Sequence, residues 1–270
     1  MTTLAQTILA QPILAELHFP PIGELVEWEG LFLKGTAFEV NKVVLLMWAG
    51  VLIVMTVFLL AGRKAKSGNL VPSGIQHVAE SGIEFVQKDI IMQTMGKDGL
   101  GWAPFLTTMF FFIFVTNLFE VIPGIQFPVS ARMALPIFLA IVVWFIYNIV
   151  GIKHQGLGGY LKSVVMPPGV PKGILPLVAL IETISTFVVR PFSLAVRLFA
   201  NMLAGHLLLV TFAVLSAALF SKTLLVAILP LPFIMLILLT GFEILVAGLQ
   251  AFIFTILTAV YIGGAMHPEH

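Results

Sequence analysis

The sequence predicts an all-α integral membrane protein, and three observations lead there. Of its 270 residues 59% are hydrophobic and 10% charged, with a mean hydropathy of +1.08, outside the range of soluble domains. Charge-free apolar runs recur at the ~20 residues that an α-helix needs to cross a ~30 Å hydrocarbon core. Basic residues gather at the ends of these runs, as they do where helices leave a membrane. A net charge of +1 without a dense basic cluster excludes nucleic acid as a partner. The absence of cysteine excludes disulfides, thiolate metal sites and a cysteine nucleophile.

Residues 1–42 hold Pro12, Pro20 and Pro21, and five glutamates against two lysines, so a short irregular or amphipathic extramembrane segment is expected. Its first seventeen residues carry no Lys or Arg and so lack the basic start of a secretory signal; the N-terminus is read as mature sequence. Residues 43–61 are nineteen without a charge, followed at once by Arg63, Lys64 and Lys66, which predicts the first crossing. Between Pro72 and Gly99, Ile75, Val78, Ile83, Val86 and Ile90 recur at near-helical spacing among Glu80, Glu84, Lys88 and Asp89, which predicts an amphipathic helix at the membrane surface.

Crossings two and three are expected at 102–122 and 134–152, the second carrying Asn117 and Glu120 near its far end before Pro123-Gly124 stops it. Glycines and prolines from Gly156 to Gly173 predict a loop. The remainder, 174–220 and 223–265, is nearly continuous apolar sequence. The second of these runs would span ~65 Å as a helix, about twice the membrane core, so it either crosses twice near Pro230 and Pro232 or lies strongly tilted. Lysines and arginines of the short loops favour the ends of crossings one and three, which predicts an outside N-terminus and a cytoplasmic C-terminus.

The chemistry is expected in the stretch ETISTFVVRPFSLAVRLFANMLAGH, residues 182–206. A guanidinium does not lose its proton in a protein, and a charge at the bilayer centre costs ~2.5 kcal/mol or more, so Arg197 needs a partner, a cavity or a function. On one regular helix, Ser193, Arg197 and Asn201 share a face with Arg190, while His206 lies half a turn away and ~13 Å further along the axis. Glu243 and Gln250, seven apart, share a face of the last helix, where Glu243 can approach His206 with Asn117 and Glu120 from the second crossing. A histidine and two carboxylates are groups that burial can tune into a proton relay. The plainer readings are interfacial snorkelling for Arg190, an interfacial cap for Glu182 and interhelical hydrogen bonding for Asn117, Ser193 and Asn201. A phosphate loop, HExxH, GxSxG, a clustered metal set and inverted repeats are all missing, which weakens an enzyme reading.

PFSLAVRLFANMLAGH followed by GLQAFIFTILTAVYI resembles subunit a of the F-type ATP synthase, the stator subunit of its membrane motor. VPSGIQ, TNLFEVIPG and a His-rich tail extend the resemblance to about residues 40–270. It implies about five membrane helices plus the surface helix, with the last two, 174–220 and 223–265, forming a long tilted hairpin along a ring of c subunits. It further implies a bacterial plasma-membrane location, a c-ring and peripheral-stalk b subunits as partners beside the lipid bilayer, and no cofactor or metal. The family's essential arginine falls on Arg197, with Ser193, Asn201, Asn117 and Glu120 at family polar positions. Two offset half-channels are then expected: protons enter past Glu120, His206, Glu243 and Gln250, load a ring carboxylate, and leave near Glu182 and Ser193, with Arg197 blocking a short-circuit. ATP chemistry would take place elsewhere in the complex.

Three departures accompany the match. Ala200 stands where the family commonly has Gly, Arg190 where it often has Lys, and His206 and Glu243 are exchanged relative to some members. The alternative function is a proton-coupled secondary transporter in which Arg197 binds an anionic substrate.

Overall fold

The structure, a computed structural model, describes residues 30–32, 35, 39–66, 74–165, 173–220 and 224–266. Most of the N-terminal segment, the Val71–Ser73 part of the VPSGIQ motif, Lys172, Lys222 and the C-terminal His267 and His270 lie outside them. Among the described residues there is one isolated antiparallel bridge, Phe32 to Val40, and everything else regular is helical. Five helices are long and apolar enough to cross a membrane.

Helix α1, Lys42–Lys66, starts where the Asn41 side chain accepts a hydrogen bond from the backbone N–H of Val44 at 3.1 Å, capping a donor that the first turn would otherwise leave free. The helix continues through its basic exit rather than stopping at Ala61. Helix α2, Ile75–Phe85, passes directly into a π turn, Val86–Ile91, a short turn Met92–Thr94 and a 3₁₀ segment Gly96–Trp102. Its periodic apolar positions divide: Ile75 and Val78 are exposed, whereas Val86, Ile90 and Ile91 are fully buried in the helical core. Gly82 lies against the Phe111 ring, where any Cβ would collide, so that ring packs directly on the backbone of α2. On the outward face Lys88 donates to Glu84, and that bond holds the Glu84 carboxyl below its usual range.

Helix α3, Ala103–Leu118, is shorter than the expected crossing. The chain turns at once, Glu120 N–H to Asn117 carbonyl at 3.2 Å, and then at Ile122–Gln126, with Gly124 at φ 90° and Gln126 at φ 44°. Glu120 therefore sits just past the helix end, with Pro123 and the left-handed Gly124 precluding continuation.

Helix α4, Ala134–Val165, corrects the expected loop after Gly156. Gly156 breaks the helix at φ 73°, ψ 161°, and the following turns double back, so that the Tyr160 ring lies on Gly151 and its hydroxyl donates to Asn148 Oδ1 at 2.9 Å. The glycines there are a hinge in a helix that resumes, not a loop.

Helix α5, Leu175–Ile184, joins helix α6, Arg190–Leu219, through a second π turn, Ser185–Val189. The continuous 45-residue span is thus not one regular helix, contrary to the uniform 100° spacing assumed from sequence. A 3₁₀ turn, Leu224–Ile228, leads to α7, Pro230–Met266. Its 37 residues form one unbroken helix about 55 Å long, which decides between one crossing and two. Contacts from Gly205 to Glu243 and from Arg190 to Tyr261 run in opposite chain directions, so α6 and α7 form an antiparallel hairpin.

The core lies among α3, α4, α6 and α7, where Ile113, Val143, Leu198, Met202, Phe254 and Ile262 are almost completely buried. Small residues at the contacts, Ala195, Ala247, Ala251 and Ala259, let the backbones approach, which is how helices associate when the surrounding solvent is itself apolar. The outward faces of α1, α6 and α7 are exposed and apolar, as a lipid-facing or partner-facing surface requires.

Candidate functional site

Two polar sites lie on opposite sides of α6. On its inner side His206 is buried, its Nδ1 3.6 Å from Glu120 Oε1 and its ring edge-on to Phe127 at 5.5 Å between centroids. Because α3 ends at Leu118, the segment after it brings both Glu120 and Phe127 to the imidazole. A cavity of about 490 Å³ opens here, lined by Lys42, Glu120, Phe127, His206, Leu236 and Thr240 among others. Lys42 Nζ donates to the Ile125 carbonyl at 3.1 Å, which fastens the start of α1 to this turn.

Beyond the cavity a trail of buried polar groups continues inward. Glu243 of α7 is 4% exposed, its carboxylate set against the Cα of Gly205. Asn117, one turn before Glu120, and Gln250, two turns after Glu243, are each 1% exposed. Among the described residues Asn117 Oδ1 and Nδ2, Glu120 Oε1, Glu243 Oε2 and Gln250 Nε2 are buried without a hydrogen-bond partner. Leaving such atoms unsatisfied costs ~1–3 kcal/mol each, so this concentration opposes stability. A cluster retained at that cost is where proton transfer or penetrating water is to be sought.

The sequence reading let Glu243 approach His206 with Glu120 joining from the second crossing, and Glu243 lies against Gly205, the residue before His206. Among the described residues His206 pairs with Glu120, and no hydrogen bond or ion pair joins it to Glu243. Phe127, Lys42, Thr240 and Gly205 were not anticipated, since none carries a charge in an apolar run except Lys42, which sits at a helix start where a lysine is ordinary.

The other side of α6 is open. Arg197 and Asn201 are exposed, Ser193 is half-buried, and Leu198, the next residue after Arg197, is fully buried in the core. Among the described residues Arg197 has no carboxylate within ion-pair distance. The outward faces of α6 and α7 carry Phe192, Leu208, Ile237, Leu238 and Leu245, all strongly exposed. Arg190 is different: its guanidinium lies 4.0 Å from Glu182 and 5.5 Å from the Tyr261 ring centroid. One arginine is thus satisfied within the chain, and the other is presented outward to whatever covers that face. An anion-binding arginine of a transporter belongs in an internal cavity, and the exposure of Arg197 counts against that alternative.

The chain matches the ATP synthase A chain family over residues 44–263. It belongs to that family. Among similar proteins, the ATP synthase subunit a of Frankia alni is 40% identical over 276 residues, covering 97% of this chain and 92% of the relative. The ATP synthase subunit a of Parafrankia sp. is 44% identical over 253 residues, with 92% and 83% covered. That of Rhodopseudomonas palustris is 42% identical over 237 residues, with 87% and 90% covered. Family membership places the chain in the membrane sector of an ATP synthase. It also gives the outward arginine and the buried trail a common context, since both lie within the matched span.

Proposed function

We propose that this chain performs the proton-translocating stator role of its family through two offset half-channels, with Arg197 as the barrier between them. The observation that carries the reading is the division of α6. A permanent unpaired charge faces outward, and a buried, incompletely bonded carboxylate and histidine set lies behind it. Protons enter through the cavity at Glu120 and His206 and pass Glu243, with Asn117 and Gln250 supporting the path. They neutralise a carboxylate on the c-ring seated against the exposed faces of α6 and α7.

When an ionisable ring carboxylate meets Arg197 and its neighbour Asn201, the opposite charge favours the ionised form, and the proton leaves towards the end near Ser193 and Glu182. The same guanidinium repels a proton attempting to cross directly. A membrane potential supplies ~2.3 kcal/mol per charge per 100 mV, which drives rotation only while that leak is closed. ATP chemistry belongs to other subunits. Peripheral-stalk b subunits and lipid cover the remaining apolar faces, in a bacterial plasma membrane with the N-terminus outside and the C-terminus cytoplasmic. The basic ends of α1 and α4 support that orientation. The deciding experiment is Arg197→Ala in the assembled complex reconstituted into vesicles: ATP-driven proton pumping is lost while assembly persists. Undiminished pumping refutes the barrier role.

A further inference from the structure

Arg190 and Arg197 are seven residues apart and therefore fall on nearly the same face of α6, about 20° apart and ~10 Å along the axis. Two uncompensated guanidinium groups in that arrangement would compete for one arriving carboxylate. Within the chain, Arg190 is covered by Glu182 at 4.0 Å and by the Tyr261 ring. A regular helix would not bring the first of these about. Glu182 lies eight residues before Arg190, which places the two side chains about 80° apart on a uniform α-helix. The π turn Ser185–Val189 accommodates one extra residue and brings them to within about 20°.

The turn itself has a local cause and a local clamp. The Arg190 N–H reaches back five residues to the Ser185 carbonyl, the π pattern. Pro191 has no N–H, so it cannot serve the carbonyls four and five residues before it, those of Phe187 and Thr186. These are the two that α4 serves instead: Trp144 Nε1 donates to the Phe187 carbonyl at 3.1 Å, and the Tyr147 hydroxyl donates to the Thr186 carbonyl at 2.5 Å. Tyr147 and Thr186 are 2% and 4% exposed, so water does not replace that bond readily. The Tyr147 ring also packs on Tyr261, the residue beneath Arg190.

We propose that the π turn, clamped by Tyr147 and Trp144, is a register device that sets Glu182 to neutralise Arg190, leaving Arg197 as the guanidinium that α6 offers to a ring carboxylate. Glu182, Tyr147 and Trp144 are then positioning residues for the reaction at Arg197. The inference rests on the stator reading above and assigns Glu182 a second part beyond lying near the exit.

Charge masking makes a prediction that a structural or proton-carrying role does not: removing the masked charge repairs loss of the mask. In the reconstituted complex, Glu182→Gln is expected to lower ATP-driven pumping about fivefold and Tyr147→Phe about threefold, without loss of assembly. Adding Arg190→Gln to either should restore pumping to within about twofold of the parent. Failure of Arg190→Gln to rescue, or full activity of Glu182→Gln alone, overturns the proposal. If instead the stator reading is at fault, Arg197→Ala continues to pump whatever the state of Glu182, so the two failures are told apart.

Discussion

The carboxylate of Glu243 rests against the Cα of Gly205, one residue before the histidine that faces the outer cavity. Neither element moves freely, because α6 and α7 are packed on each other along this seam. A Cβ at 205 would occupy the carboxylate's position. Gly205→Ala is expected to displace Glu243 and to slow proton pumping at least tenfold in assembled complex. Shortening the acid in the double variant Gly205→Ala, Glu243→Asp should recover part of the loss. Unchanged pumping in the single variant would mean that the carboxylate has another resting place.

The 3.6 Å approach of His206 to Glu120 defines which pair acts together. His206→Ala and Glu120→Gln should each reduce flux, and the double variant should fall little below the worse single one. His206→Ala with Glu243→Gln should come closer to additivity, because those two side chains share no direct bond. Residues in contact typically show interaction energies of ~0.5–3 kcal/mol and separate ones almost none, so a double-mutant cycle on initial pumping rates resolves the difference.

Arg190 is held by a partly exposed ion pair and a ring contact. Exposed ion pairs contribute ~0–1 kcal/mol and such ring contacts ~0.5–1 kcal/mol. Arg190→Gln should therefore lower the thermal midpoint of the purified complex by a few degrees while proton pumping per assembled complex is retained. Arg197→Gln should do the reverse, leaving the midpoint and removing pumping. Scanning calorimetry paired with a pumping assay separates the two arginines.

Orientation can be read by chemical labelling, because the chain contains no cysteine of its own. Lys153→Cys, exposed near the end of the first part of α4, should react with an impermeant thiol reagent only from the cytoplasmic side. Gln126→Cys, exposed in the turn beside the outer cavity, should react only from the opposite side. Exchange of the two sides, with Lys153→Cys reacting only from outside and Gln126→Cys only from the cytoplasm, would reverse the proposed direction of proton entry.

The sequence made some of this legible and concealed the rest for identifiable reasons. Arg197 stood out because a charge that cannot be neutralised is conspicuous in an apolar run, and the face it shares with Ser193 and Asn201 followed from helical spacing. The pairing of His206 with Glu120 did not, since it depends on α3 ending at Leu118 and on the left-handed turn at Gly124 and Gln126. The approach of Glu182 to Arg190 was hidden for a different reason: a uniform 100° per residue conceals one extra residue, and nothing in STFVV announces a π turn. The proline that leaves its carbonyls without a donor was visible, but the donors that serve them belong to another helix. At Gly156 composition suggested a loop because hinge and loop draw on the same residues. In the run 223–265 hydropathy alone left one helix and two helices equally acceptable.

The length of α7 has a mechanical consequence. About a third of the way along it Glu243 is seated on Gly205, and at its C-terminal end the Gln155 side chain donates to the Ala265 carbonyl at 3.0 Å. Between these supports the helix has no proline and no break. The stretch between them is a beam held at two points, and under the stator role proposed above a rotor sliding along α7 would push sideways on it. Under that role, load applied between the two anchorages would be shared by Gly205 and Gln155, and the gap between Arg197 and a passing carboxylate would be held steady by both.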